Sequence, residues 1–157
     1  MSDGKRTFRI REAAPSDAEA LIRLDERVTG MRKSDYWHDL FERLHARPPA
    51  DLFIFLAEPE EAGDGGARVL GFVIGEVRAW EFGSEPCGWV FAIAVDPQAR
   101  ESGVGEALLA HISESFRAVG VRTVRTMISR DNHLLMSFFR SEGMTAGPYL
   151  QLEKELD

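Results

Sequence analysis

The sequence predicts a mixed, mostly antiparallel α/β sheet with flanking helices. Three observations support this class. Apolar residues alternate or run unbroken in six short segments, and recur at helical spacing in four longer ones. The segments follow the order β-α-α-β-β-β-α-β-α-β, so three successive strands can form a meander before crossover connections begin. No internal repeat, low-complexity tract or linker divides the 157 residues, so one domain is expected over 1–157.

Residues 7–13, TFRIREA, read as the first strand, with Phe8 and Ile10 alternating against arginines. PSDAEALIRLDERVTG reads as a helix: Ser16 and Glu19 have capping-box spacing, Leu21, Leu24 and Val28 form a stripe, and Gly30 can end it. In SDYWHDLFERLHA, Ser34 can cap a second helix whose Trp37, Leu40, Phe41 and Leu44 share a face, and Pro48 and Pro49 stop it. DLFIFLAE is an apolar strand, and the acidic, glycine-rich PEEAGDGGA a hairpin loop. RVLGFVIGEVRAW is a long strand with Gly71 and Gly75 inside it. GWVFAIAV, residues 88–95, is nearly all apolar, as in a strand buried on both faces. The helix from Gly103 to Val119 carries Leu108, Leu109, Ile112 and Phe116 as its stripe. VRTVRTMI is a further strand, DNHLLMSFFRSE a helix closed by Gly143, and YLQLEKEL a final strand.

Composition narrows the function classes. The chain is 44% hydrophobic and 29% charged, the balance of a soluble globular protein. No run approaches the ~18 apolar residues of a membrane span, and the amino end lacks the apolar core of a signal peptide. One cysteine, Cys87, allows no internal disulfide and fits a reducing cytoplasm. Four scattered histidines argue against a metal site. A net charge of −7 argues against nucleic acid as partner and is compatible with a basic acceptor such as an amine.

The segment DPQARESGVGEALLAHI raises the functional question, because glycines weaken helices yet Gly103 and Gly105 sit where one begins. Peptide N–H groups at a helix start lack intrahelical partners, and the dipole makes that end electropositive. Glycines let phosphate oxygens approach it closely. A Walker loop would need Gly-Lys-Ser/Thr, which GVGEAL lacks, and a dinucleotide fingerprint would need a third glycine where Leu108 stands. On the two glycines alone, a plain strand-to-helix turn and a phosphate cradle stand as equal readings.

The surroundings carry a resemblance. IAVDPQARESGVGEALL resembles the acetyl-CoA-binding signature of the GNAT N-acetyltransferase superfamily: an apolar strand, Val-x-Pro, then Arg/Gln-x-x-Gly-x-Gly/Ala opening a helix. NHLLMSFFRSEGM resembles its second signature, RIREAAPSDAEALIRL its typical start, and FAIAVDP the ribosomal-protein N-acetyltransferases. The resemblance covers essentially the whole chain. It implies the GNAT fold, acetyl-CoA as cosubstrate without a metal, and direct transfer to an amine on a small molecule or a protein. A homodimer is compatible with it. It further implies that the stretch Arg100, Glu101, Ser102, Gly103, Val104, Gly105 and Glu106 holds the pyrophosphate. Backbone groups of Ile93, Ala94 and Val95 would meet the pantetheine and thioester, on a strand that bulges and splays from its parallel neighbour. Asn132 and Phe139 would lie beside the cofactor's thiol end. Glu101 and Ser102 stand where the family carries small or basic residues.

Acyl transfer to an amine needs a route for the ammonium proton, a polarised thioester carbonyl and a leaving thiolate. Many relatives use a glutamate and a tyrosine, but those positions fall on Trp89 or Met127 and on Phe139. Glu85 is the first replacement as base, with Glu76, His133 and Tyr149 behind it. The Ile93 or Ala94 amide is the expected donor to the thioester oxygen. Cys87 reads as a small buried residue. Tyr36 and Trp37 fall in the region that shapes the acceptor site, although Trp37 has core spacing, and Arg32 and Lys33 read as solvated. A non-catalytic acyl-CoA-binding sensor or regulatory module is the alternative.

Overall fold

Runs of β-branched and aromatic residues form the strands, and glycines decide how closely a helix can cover them. A computed structural model describes residues 7–46, 51–61 and 68–157. Pro48 and Pro49, and positions 62–67 of the expected hairpin loop, lie outside the described residues. The chain divides into two compact units, Met1–Met127 and Ile128–Asp157.

The first unit holds strands β1 (Phe8–Glu12), β2 (Leu52–Pro59), β3 (Gly71–Arg78), β4 (Cys87–Val95) and β5 (Val124–Thr126), with helices α1 (Ala18–Thr29), α2 (Ser34–Ala46) and α3 (Val104–Ala118). The sheet order is β1-β2-β3-β4-β5. The first four strands are antiparallel neighbours, and β5 runs parallel to β4. The second unit contains α4 (His133–Ser141), followed by a turn at Gly143 with φ +87°.

One face of the sheet carries the main core. Leu21, Ile22 and Leu24 of α1 and Trp37, Leu40 and Phe41 of α2 cluster with Ile54, Leu56, Phe72, Ile74 and Ala94. The Trp37 ring meets Phe72 edge-on at 4.9 Å, and its Nε1–H donates to buried Asp25 at 2.9 Å. On the other face α3 lies against glycines. A Cβ on Gly88 would come 2.4 Å from the Phe116 ring, one on Gly75 2.8 Å from Ile112, and one on Gly71 2.9 Å from Val104. These three residues are spacers that set the distance between helix and sheet.

Four expectations are corrected. Pro15–Asp17 form a single 3₁₀ turn and α1 starts at Ala18, so Ser16 and Glu19 do not make the capping box. Asp17 organises that entry instead, accepting from the Ala14 N–H at 2.7 Å and twice from the Arg11 guanidinium at 2.8 Å. The YLQLEKEL segment forms no strand, and Leu150, Leu152 and Leu156 are exposed. Alternation shows a capacity to pair, but no neighbour supplies the ladder. The penultimate strand shrinks to Val124–Thr126 for the same reason. Finally, β4 is not buried on both faces, for Phe91 is 39% exposed.

Two outcomes follow from this packing. Gly88→Ala should cost about 1–3 kcal/mol, because the new methyl overlaps a ring that is itself packed. A lowered thermal midpoint would record it. The Arg11 guanidinium, hydrogen-bonded to both carboxylates, holds Asp17 and Glu58 below their ordinary values. A depressed carboxyl contributes stability that is full above its unfolded pKa, around pH 4, and is lost as pH falls through the folded value. Arg11→Met should therefore lower the urea midpoint at pH 7 and flatten its decline below about pH 4.

Candidate active site

The site is built from β4 and the helix it feeds. Along β3–β4 the register shifts between Ile74 and Gly75: Gly75 pairs with Val90 and Ile74 with Ala92, leaving Phe91 as an extra residue. On its other side β4 pairs with β5 only through Gly88, Trp89 and Val90. The Gly88 N–H donates to the Thr123 carbonyl at 2.8 Å, and the Thr126 hydroxyl to the Val90 carbonyl at 2.7 Å. Beyond Val90 no described strand continues that ladder. The implied bulge and splay are both present.

Two backbone contacts fix which peptide groups this exposes. The Val77 N–H donates to the Asp51 carbonyl and the Asp96 N–H to the Leu70 carbonyl, each at 2.7 Å. Antiparallel alternation then turns the backbone groups of Ala92 and Ala94 toward β3, and those of Ile93 and Val95 toward the open edge. Consistently, the Ala94 carbonyl oxygen would lie 2.8 Å from a Cβ on Gly71. The Ile93 and Val95 expectation agrees with this orientation. The Ala94 amide points away from the edge, which leaves the Ile93 amide as the donor on that side.

The chain then turns into α3. Asp96 accepts from the Gln98 N–H at 2.9 Å and from Arg27 at 3.0 Å, anchoring the start of the Pro97–Ala99 turn. Arg100, Glu101, Ser102 and Gly103 are exposed, and the Ser102 hydroxyl donates back to the Ala99 carbonyl. Gly103 is the helix cap at φ +84°, with no side chain capping the helix. The first intrahelical bond runs from the Ala107 N–H to the Gly103 carbonyl at 3.0 Å. The amides of Val104, Gly105 and Glu106 precede it and have no intrahelical acceptor. Buried Val104 pins this end to the sheet. A Cβ at Gly103 would meet no atom within 4 Å, so glycine is required there by its left-handed backbone.

Glu101 also lies in the left-handed region, at φ +71°. A β-carbon there is strained, and its carboxylate sits one turn from an anion-attracting helix end.

The remaining candidates separate clearly. Glu85 is exposed in the loop before β4, where its carbonyl accepts from the Ser84 hydroxyl at 2.8 Å. Cys87 is buried with Arg125 Nη1 3.4 Å from its sulfur, as a packed small residue would be. Trp89 is half-buried with the Arg78 guanidinium 5.5 Å over its ring, and Met127 is exposed. Glu76 on β3 pairs in register with Trp89 and binds Arg43 of α2 at 3.1 Å. Burial pushes the Tyr36 hydroxyl above its ordinary value; Asp25 adds to the push and Arg43 opposes it. Trp37 is core. Arg32 and Lys33 are not merely solvated, because Arg32 binds Glu19 and Glu26 and Lys33 binds Asp25. In the second unit, the Asn132 side chain caps α4 by accepting from the Leu135 N–H at 3.1 Å. His133 begins that helix, and Phe139 is buried beside Phe138. The bulge residue Phe91 and the Arg43–Glu76 pair escaped the sequence reading, since neither has a local signature.

A family model described as the acetyltransferase (GNAT) family matches residues 18–144. The chain belongs to that family. A mycothiol acetyltransferase of Saccharomonospora viridis is 30% identical over 143 residues, 86% of this chain and 45% of the relative. An amino-acid acetyltransferase of Neisseria meningitidis is 45% identical over 40 residues, 26% of this chain and 9% of the relative. The chain thus spans less than half the length of these curated relatives. Among solved GNAT-type structures, an aminoglycoside N-acetyltransferase in complex with CoA superposes with a TM-score of 0.78 at 18% identity, covering 94% of both chains. Glucosamine-6-phosphate N-acetyltransferase from Arabidopsis thaliana gives 0.73 at 21% identity, covering 96% of this chain and 99% of that one. These likenesses establish the fold.

Glu101→Gly tests the cradle of this GNAT chain. Releasing the left-handed strain should exceed the entropy glycine adds to the unfolded state, for a gain of about 0.5–1 kcal/mol. Removing the carboxylate should also tighten CoA several-fold in calorimetric titration.

Proposed function

We propose that the protein transfers an acetyl group directly from acetyl-CoA to a primary amine. The observation that carries this reading is one strand and its following helix combining two backbone sets without partners among the described residues: the edge at Ile93 and Val95, and the start of α3 at Gly103, where no side chain caps the helix. CoA matches both. Its pantetheine amides suit a strand edge, and its pyrophosphate suits N–H groups backed by a helix dipole. The stretch 100–106 holds the phosphates in this reading, with Arg100 adding a cation. The Ile93 amide polarises the thioester carbonyl, where charge develops during attack. Phe139 offers no proton to the departing sulfur, and a thiolate can leave without one.

The acceptor proposed is a small polar amine, supported by the names of the relatives above; a protein lysine or N-terminus is the broader alternative. The second reading, an acyl-CoA-binding module without catalysis, is favoured by Phe139 alone, which stands where the family's tyrosine would. Release of free thiol from acetyl-CoA in the presence of amino sugars, aminoglycosides, polyamines and amino acids separates the two. Acceptor-dependent release is expected; CoA binding with no release from any amine supports the module. Gly103→Glu should weaken CoA at least tenfold in a protein that still folds, by filling the phosphate position and adding repulsion. Unchanged calorimetric affinity would remove the cradle from the proposal.

A further inference from the structure

We infer that Glu76 accepts the acceptor amine's proton, and that Arg43 positions its carboxylate for the task. This rests on the acetyl-transfer reading above. The positions where the resemblance places a glutamate hold Trp89 on β4 and Met127 just past β5. The register supplies a carboxylate one strand away. Glu76 lies directly across from Trp89, so the two side chains leave the same face of the sheet with Cβ atoms ~5 Å apart. The next row toward the open edge along that face is Ile74 with Ala92, ~7 Å away by strand geometry. In this reading ordered water carries the proton over the remaining interval from an amine at the open edge of β4 to the carboxylate.

The surroundings suit proton acceptance. The Glu76 side chain is 25% exposed, so water reaches it, and its Oε2 lies 3.1 Å from the Arg43 guanidinium. Arg43 of α2 contacts it, and Tyr36 of α2 lies within electrostatic reach of Glu76, Arg43 and Asp25 of α1, the last bound to Lys33 and to the Trp37 ring N–H. On β3 itself Arg78 follows on the same face, paired with Glu81 and opposite buried Cys87. Arg43 is the cation in direct contact, and it holds the carboxylate in place. Glu85, by contrast, is exposed on the loop before β4.

The step balances as follows. The ammonium R–NH₃⁺ gives one proton, through the water, to the Glu76 carboxylate. The freed lone pair forms the C–N bond to the thioester carbon. As the C–S bond breaks, sulfur leaves with the bonding pair and takes the second N–H proton, giving the amide and the free thiol. Glu76 returns its proton to solvent.

The test is acceptor-dependent thiol release between pH 6 and 10 by the wild-type protein, Glu76→Gln, Arg43→Gln and Glu85→Gln, with CoA affinity measured separately by calorimetry. Glu76→Gln should lose roughly 10²-fold in kcat at pH 7. The loss should shrink as pH rises toward the amine's own pKa of about 10, while CoA affinity stays the same. Arg43→Gln, which retains the carboxylate but not the contact that orients it, should lower kcat while the KM for acetyl-CoA and CoA affinity stay the same. A Glu76→Gln profile superimposing on wild type, an unchanged kcat in Arg43→Gln, or the loss appearing in Glu85→Gln instead overturns the inference and leaves acetyl transfer standing. Wild-type protein that binds CoA yet turns over no amine overturns both.

Discussion

The site depends on β4 losing its outer neighbour after Val90. A sheet edge is ordinarily a hazard, because its N–H and C=O groups invite another chain. Here the ladder with β5 is three pairs long, and the bulge at Phe91 redirects the strand just where pairing stops. The consequence is a strand whose inner edge is fully engaged by β3 while its outer edge is available from Phe91 onward. A pantetheine arm presents amide groups of the same kind as a peptide, which is why this edge enters the proposed function.

The glycines of the first unit work in two distinct ways. Gly71, Gly75 and Gly88 are needed for what they lack, since a Cβ at each would strike α3 or a carbonyl oxygen. They bring the helix close to the sheet and so place its N-terminus beside the end of β4. Gly103 is needed for its backbone: space is open around it, but φ is +84°. Glu101 meets the same backbone demand without glycine's freedom, a local cost beside the proposed phosphate position.

Charge on the α1–α2 face is held in short, mostly paired contacts. Asp25 is buried and takes both the Trp37 ring N–H and the Lys33 ammonium, so a carboxylate beneath the helices has two donors. Glu76, partly exposed, contacts one cation, Arg43. The contrast is between a carboxylate enclosed beneath the helices and one that solvent reaches.

The amino-acid sequence by itself determined the four helices, five of the six expected strands, the meander followed by one crossover, and the strand-turn-helix in which Gly103 sits. These follow from period-two and helical patterning and from turn chemistry, which act within a few residues. The apolar stripes named the buried faces correctly, with Leu108, Ile112 and Phe116 all beneath α3. Only the tertiary structure decided which alternating segment became a strand: Val124–Thr126 found β4, whereas residues 149–156 found no ladder, because pairing needs a partner that local pattern does not specify. It also decided that Ile93 rather than Ala94 faces the open edge. A bulge one residue long resets that parity, and its position is set by how β3 and β4 align. The pairing of Glu76 with Trp89 and Arg43 belongs to the same class, being a property of register and helix placement between residues 13 and 33 positions apart in the chain.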